Sequence, residues 1–214
     1  VGDETDGTSA VDRVSSRRDR LKVRAAAFRE LIEGPADTDR AGLTEHSAGV
    51  LDERFEEFSK IFGRKYSRVM CDGTEGADTV VVCMGSMSGT VQHVVHQLRA
   101  EGKKVGIARV VAFRPFPQKD LAKALKGAKN VVVIDRVSAM GSMGPLYEET
   151  LASLKLSGNN ANAYSFVAGL GGRDIWEQTV EDVFAKAEEL GAKNATCDEP
   201  IWIDLKESEV RSNG

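Results

Sequence analysis

Four segments rich in glycine or proline hold the residues best suited to chemistry, and each follows an apolar run. They are Gly85-Ser86-Met87-Ser88-Gly89-Thr90, Phe113-Arg114-Pro115-Phe116-Pro117, Asp135-Arg136-Val137-Ser138-Ala139-Met140-Gly141-Ser142-Met143-Gly144-Pro145 and Gly169-Leu170-Gly171-Gly172-Arg173-Asp174. Amides at the start of a helix can receive an anion, and a guanidinium can pair with a carboxylate or phosphate, including one on another subunit. Gly85, Ser86, Arg114, Asp135, Arg136, Gly141, Ser142, Gly171 and Arg173 are therefore candidates for anion contact or for an interface. The same segments also admit a reading without any ligand. Ser88 can cap a tight strand-to-helix turn, the prolines can fix a turn that buries Phe116, and Asp174 can cap a helix.

Familiar nucleotide signatures are missing. The first segment has neither a Gly-Lys-Ser/Thr ending nor G-x-G-x-x-G spacing, and the fourth has Asp174 where the third glycine of the fingerprint belongs. Arg114 follows the second apolar run, where a nicotinamide-binding fold would present an acid to the ribose. The histidines, His46, His93 and His96, all lie off the four segments, so a nucleophilic triad is unsupported. His93 and His96 share a helix face at i, i+3 without a completing carboxylate on that helix, which favours solvated polar residues over a metal site. No catalytic or metal-binding residue is assigned. One internal echo stands out: Met84-Gly85-Ser86-Met87 and Met140-Gly141-Ser142-Met143 repeat a tetrapeptide, so the two segments could frame one crevice or dock one partner surface, with coincidence in turn-prone composition as the equal alternative.

These segments need elements to position them. Short runs rich in Val or aromatic residues predict strands over 79–84, 105–113, 130–134 and 163–167. Helical spacing predicts helices over 89–101, 117–125 and 145–154, the last two with proline in the first turn, and a final helix from a capping box at Asp174 and Glu177 to Gly191. Earlier helices are expected over 19–33 and from Thr44 to Phe62. Alternating strands and helices imply a three-layer α/β sandwich with a mostly parallel sheet, preceded by helical segments. Ligands of such sheets collect beyond the carboxyl ends of the strands, where all four segments fall.

Composition narrows the function classes. With 214 residues, 41% hydrophobic and 29% charged, the chain suits a soluble globular protein, and its net charge of −4 argues against a general nucleic-acid binder. Its apolar runs are too short to span a bilayer, and Val1–Ser16 lacks the order of a signal peptide, so a cytoplasmic location without membrane attachment is expected. Cys71, Cys83 and Cys197 show no C-x-x-C spacing, which predicts reduced thiols and no cluster or zinc run, with Cys83 a small core residue.

The four segments, in this order and spacing, resemble the alpha subunit of pyruvate:ferredoxin oxidoreductases. Phe58 and Phe62-Gly63-Arg64-Lys65-Tyr66 likewise resemble the linker helix of that family, and the likeness runs from about Leu43 to Leu190. It implies a domain like the carboxy-terminal domain of transketolase over 77–192 after a linker helix (43–76), while composition and spacing set off an arm and short helix (1–42), which match nothing in that family, and a tail (193–214). It implies an enzyme that converts pyruvate, coenzyme A and oxidised ferredoxin to acetyl-CoA, carbon dioxide and reduced ferredoxin. Thiamine diphosphate, magnesium and 4Fe–4S clusters would then be held by other domains, with this chain binding none alone. Its partners would be thiamine-binding and ferredoxin-like subunits, and ferredoxin through the complex. The residues at Phe113-Arg114 and Asp135-Arg136 favour the pyruvate enzymes over the 2-oxoglutarate and branched-chain ones. The thiamine-binding domain that precedes this one in the family has no counterpart here, as expected of a truncated product or a differently divided subunit. An independent module that binds an anionic small molecule such as coenzyme A is the alternative.

Overall fold

A computed structural model describes residues 40–139 and 141–204. The helix expected over 19–33 lies outside the described residues. The first described element is α1 (Arg40–Phe62), which begins before the Thr44 of the sequence reading. A compact unit starting at Arg54 contains everything that follows. It comprises β1 (Val69–Asp72), β2 (Thr79–Met84), α2 (Ser88–Ala100), β3 (Val105–Val110), α3 (Gln118–Ala124), β4 (Asn130–Asp135), α4 (Pro145–Leu156), β5 (Asn162–Val167), a 3-10 turn (Leu170–Gly172), α5 (Glu177–Ala192) and β6 (Ile201–Trp202). The six-stranded sheet has the order β1-β3-β2-β4-β5-β6. β1 is antiparallel to β3 and every other pairing is parallel. The architecture is thus the expected three-layer, mostly parallel α/β sandwich.

The central strands read as valine runs because both of their faces are covered. Val80, Val82, Val131 and Val133 pack with Leu121 of α3, Leu125 at its end, and Leu146 and Leu154 of α4. Val81, Cys83, Val132 and Ile134 pack on the other face with Val91, Val94, Val95, Val180 and Val183 of α2 and α5. Each such side chain taken from water contributes about 1.5–3 kcal/mol, offset by lost chain entropy. No described helix is long and apolar enough to cross a membrane.

Three element ends, in extent or in cap, and two strands differ from the sequence reading by more than small shifts. β3 ends at Val110, because the amides of Val111 and Ala112 both turn to the Arg68 carbonyl, at 2.9 and 3.3 Å. α5 begins at Glu177, and Asp174 does not cap it: Thr179 Oγ1 accepts from the Trp176 amide at 3.3 Å. α2 starts after Met87 without a side-chain cap, since Ser88 Oγ instead donates to the Gly85 carbonyl at 2.6 Å. Finally, β1 and β6 join the sheet although both are too short and too mixed to show a pattern; β6 lies in the segment expected to be a tail.

The last crossover is unusual. The connection from β2 over α2 to β3 steps one way along the sheet with its helix on one face, while those over α3 and α4 step the other way on the opposite face. These three share one hand, as parallel crossovers almost always do. The connection from β5 to β6 steps the same way as the α4 crossover, yet α5 lies beside α2. Its hand is therefore reversed, and the amino ends of α2 and α5 converge above the end of β4.

Candidate functional site

Asp135 is the last residue of β4 and Arg136 the first beyond it, and the alternation of the strand carries them to opposite sides of the sheet. Asp135 turns towards α4. It is 1% exposed, and its carboxylate accepts from the amides of Leu146 and Tyr147, each at 3.1 Å. Burial pushes its carboxyl above the ordinary range, while those two amides oppose the shift. Gly144 makes the contact possible, because a Cβ there would overlap the Asp135 side chain. Asp135 thus caps α4 from a distance instead of facing a ligand.

Arg114 and Ser142 stand on the same side and are also occupied. Arg114 lies over the Phe113 ring, 4.2 Å from its centroid, and pairs with Glu149 of α4 at 2.6 Å. Ser142 Oγ donates to Glu148, and Gly141, at φ 74°, turns the chain before it. The guanidinium at Arg114 does meet a carboxylate, but one in its own chain. Met143 packs against the α3 and α4 core, so the repeated tetrapeptides do not frame one crevice; Met140 lies outside the described residues.

On the α2 and α5 side the structure makes a cleft. Its volume is about 420 Å3, and Ser86, Met87, Thr90, Arg136, Asp174, Ile175, Trp176 and Glu177 line it. Three loops supply these residues, those after β2, β4 and β5. β2 and β4 are neighbours whose connections leave in opposite directions, so the cleft occupies the switch point at which open α/β sheets bind ligands. Arg136 Nη2 donates to the carbonyls of Gly169, at 3.3 Å, and Arg173, at 3.1 Å. Gly169 has φ 69°, and a Cβ there would come within 2.9 Å of Ile175 and 3.0 Å of Arg136 Nε. Glycine is required on both counts. Gly171 and the side chain of Arg173 do not line the cleft; Gly171 lies in the 3-10 turn and Arg173 donates to the Asp204 carbonyl.

The sequence reading named Ser86 and Arg136 as candidates, which line this cleft, and Gly85, which does not. It missed Thr90, Trp176 and Glu177, whose one legible signal was an aromatic beside acids after a glycine-rich loop. It read the histidines as solvated polar residues, and the side chains of His93 and His96 are each 56% exposed; His93 meets Glu177 at 3.4 Å, and His96 meets Asp72 at 2.6 Å, beside Gln92, which donates to the same oxygen at 2.8 Å. These hydrogen bonds from Gln92 and His96 hold the Asp72 carboxyl below its usual range.

The donor set does not fit a metal or cluster. Among the described residues no three His, Cys, Asp or Glu side chains gather where an ion could be held. Burial pushes the Cys83 thiol up to about 12, disfavouring the thiolate a metal needs, and Cys71 lies in β1 whereas Cys197 lies in the segment between α5 and β6.

Comparison with known proteins agrees with this architecture. The family model of pyruvate:ferredoxin oxidoreductase core domain II matches residues 77–183, from just before β2 into α5. The chain is 37% identical over 166 residues to the pyruvate synthase subunit PorA of Methanocaldococcus jannaschii, covering 76% of this chain and 40% of the relative. It is 39% identical over 158 residues to PorA of Thermotoga maritima, covering 74% and 40%. It is also 39% identical over 166 residues to the ketoisovalerate oxidoreductase subunit VorA of Pyrococcus horikoshii, covering 76% and 41%. The chain therefore spans about 40% of the length of the curated relatives it matches. Among solved structures, a 2-oxoglutarate:ferredoxin oxidoreductase from Magnetococcus marinus is similar at a TM-score of 0.44 and 19% identity, covering 64% of this chain and 22% of that one. That score is too low to carry a functional inference. The family match and the identities agree, and the chain belongs to the pyruvate:ferredoxin oxidoreductase core domain II family.

Proposed function

We propose that the chain is a structural and interface domain of a thiamine-diphosphate-dependent 2-oxoacid:ferredoxin oxidoreductase, with pyruvate as the 2-oxoacid. The observation that carries the reading is the family match over the sheet and its strand-end loops, joined to identities of 37% and 39% with pyruvate synthase subunits. Catalysis in this reading belongs to partner domains that hold thiamine diphosphate, magnesium and iron–sulfur clusters, in a complex located in the cytoplasm. What this chain's own residues do is consistent with a scaffold. Asp135 caps a helix, Arg114 ties the loop after β3 to α4, and Arg136 ties the loop after β4 to the loop after β5. Identity does not choose between pyruvate and ketoisovalerate, since the 39% match to VorA equals that to a pyruvate synthase subunit. The preference for pyruvate rests on the residues around Arg114 and Arg136.

The alternative of an independent module for an anionic ligand is disfavoured by charge. Asp174 and Glu177 line the cleft with Arg136, and the two carboxylates offset the pull that the amino ends of α2 and α5 would exert on a phosphate. Expression beside the thiamine-binding and ferredoxin-like subunits, followed by isolation through a tag on this chain, tests the function. The expected result is a complex that reduces a viologen dye with pyruvate and coenzyme A, and no activity from the tagged chain alone. Dye reduction by the chain alone, or failure of the subunits to copurify, overturns the reading.

A further inference from the structure

We propose that the cleft between the first turns of α2 and α5 receives an arginine side chain of a partner protein, with the guanidinium stacked on Trp176 and paired with Asp174. The inference rests on reading the chain as an interface domain, and it gives that interface a chemistry.

Trp176 is 66% exposed beside the cleft, so a large ring surface meets water at the point where three loops converge. Exposed tryptophans next to a depression are typical anchors of protein interfaces, and arginine is their commonest charged companion. The carboxylates set the sign of the occupant, since Asp174 and Glu177 more than offset Arg136 and leave the partial positive charge at the amino ends of α2 and α5 compensated. Arg136 is drawn to the carbonyls of Gly169 and Arg173, whereas Asp174 has no hydrogen-bond or ion-pair partner among the described residues. Glu177 meets His93 at 3.4 Å, a pairing that carries charge only when the ring is protonated. A cation entering the cleft thus finds a carboxylate without a partner, a second carboxylate and an indole face.

Shape favours arginine over lysine. A planar guanidinium can stack on the ring while two of its N–H groups meet one carboxylate, which an ammonium cannot do. The hydroxyls of Ser86 and Thr90 on the opposite wall can accept from the remaining N–H groups. At about 420 Å3 the cleft suits one side chain with its flanking atoms and is too small for a helix.

Trp176 and Trp202 are the chain's two tryptophans, so Trp202→Phe leaves Trp176 as the sole reporter. The full chain carrying this change is titrated at low salt with N-acetyl-arginine amide, and in parallel with its uncharged counterpart N-acetyl-citrulline amide. A saturable change in Trp176 fluorescence is expected with the arginine compound only. Its affinity should fall about fivefold with Asp174→Asn, as for loss of a partly exposed ion pair, and fall again in high salt. If Trp202→Phe fails to fold, the same titration is read by fluorine NMR on the otherwise unaltered chain labelled with 5-fluorotryptophan. No saturable change, equal response to the citrulline compound, an undiminished response in Asp174→Asn, or tighter binding of ADP overturns the proposal. A complex that forms while this titration fails removes the arginine site alone; a positive titration without a complex removes the oxidoreductase reading alone.

Discussion

Arg136 holds the main chain of Arg173: its Nη2 donates to the Arg173 carbonyl at 3.1 Å, so the loop after β4 grips the loop after β5 through backbone. Contacts to backbone do not depend on the side chain at position 173. Changing Arg173 should therefore leave this clasp intact, whereas changing Arg136 or the glycine behind it should release it.

Gly169→Ala is the sharper of these tests. A side chain at φ 69° costs roughly 1–2 kcal/mol, and the added Cβ also pushes on Ile175 and Arg136. The urea midpoint of Gly169→Ala should fall by more than that of Arg136→Met, and Trp176 fluorescence should shift in both. A midpoint equal to that of the parent chain would show that the loop relaxes freely.

Asp135 and Asp72 should give opposite pH dependences. The Asp135 carboxyl is raised, so the native state holds its proton more tightly than the unfolded chain, and its contribution is present at acid pH and lost as pH rises through the raised value. The Asp72 carboxyl is lowered from 3.8, so its contribution is present above that value and lost as pH falls through the native one. Unfolding by urea from about pH 3 to about pH 7 should show the stability gap to Asp135→Asn narrowing as pH rises, and the gap to Asp72→Asn widening. Parallel curves would exclude both assignments.

Legibility in the sequence followed local signal. The valine runs of β2 and β4 and the prolines before α3 and α4 were readable because burial on both faces and a fixed φ act over a few residues. Val69–Asp72 and Ile201–Trp202 were not, since each becomes a strand only through its neighbour. Arg136 was readable as a charged residue at a strand end, but its partners are carbonyls at Gly169 and Arg173, and no residue type announces a carbonyl. Trp176 was hidden for another reason: the reversed crossover that brings it to Ser86 and Thr90 is a property of the chain path.

Two polar groups on β5 invite a stabilising change. Tyr164 Oη and Ser165 Oγ are buried without a hydrogen-bond partner among the described residues. An unmade hydrogen bond in a core costs about 1–3 kcal/mol, so Ser165→Ala should be neutral or raise stability by up to about 1 kcal/mol after its small loss of packing. Tyr164→Phe should behave alike. A fall in melting temperature for both would point to a separate internal water on each face of the sheet.

The thiols should react unequally. With its thiol pushed up to about 12 and no exposure, Cys83 should stay unmodified by an aromatic disulfide reagent at neutral pH until the chain unfolds. Cys71, which is exposed, should react in the native state. Rapid labelling of Cys83 without denaturant would mean that β2 opens locally.

The two walls of the cleft differ in how they are anchored. α2 is followed by β3, which pairs with its neighbours on both sides, whereas α5 is followed by β6, which adds two residues to one edge. Thr179 of α5 donates to Asp204 just beyond β6 at 2.7 Å. One wall is thus built into the middle of the sheet and the other is held like a door on its last hinge. Amide exchange should record the difference, with α5 and β6 releasing their hydrogens before α2, and any occupant that bridges the walls slowing the door more than the frame.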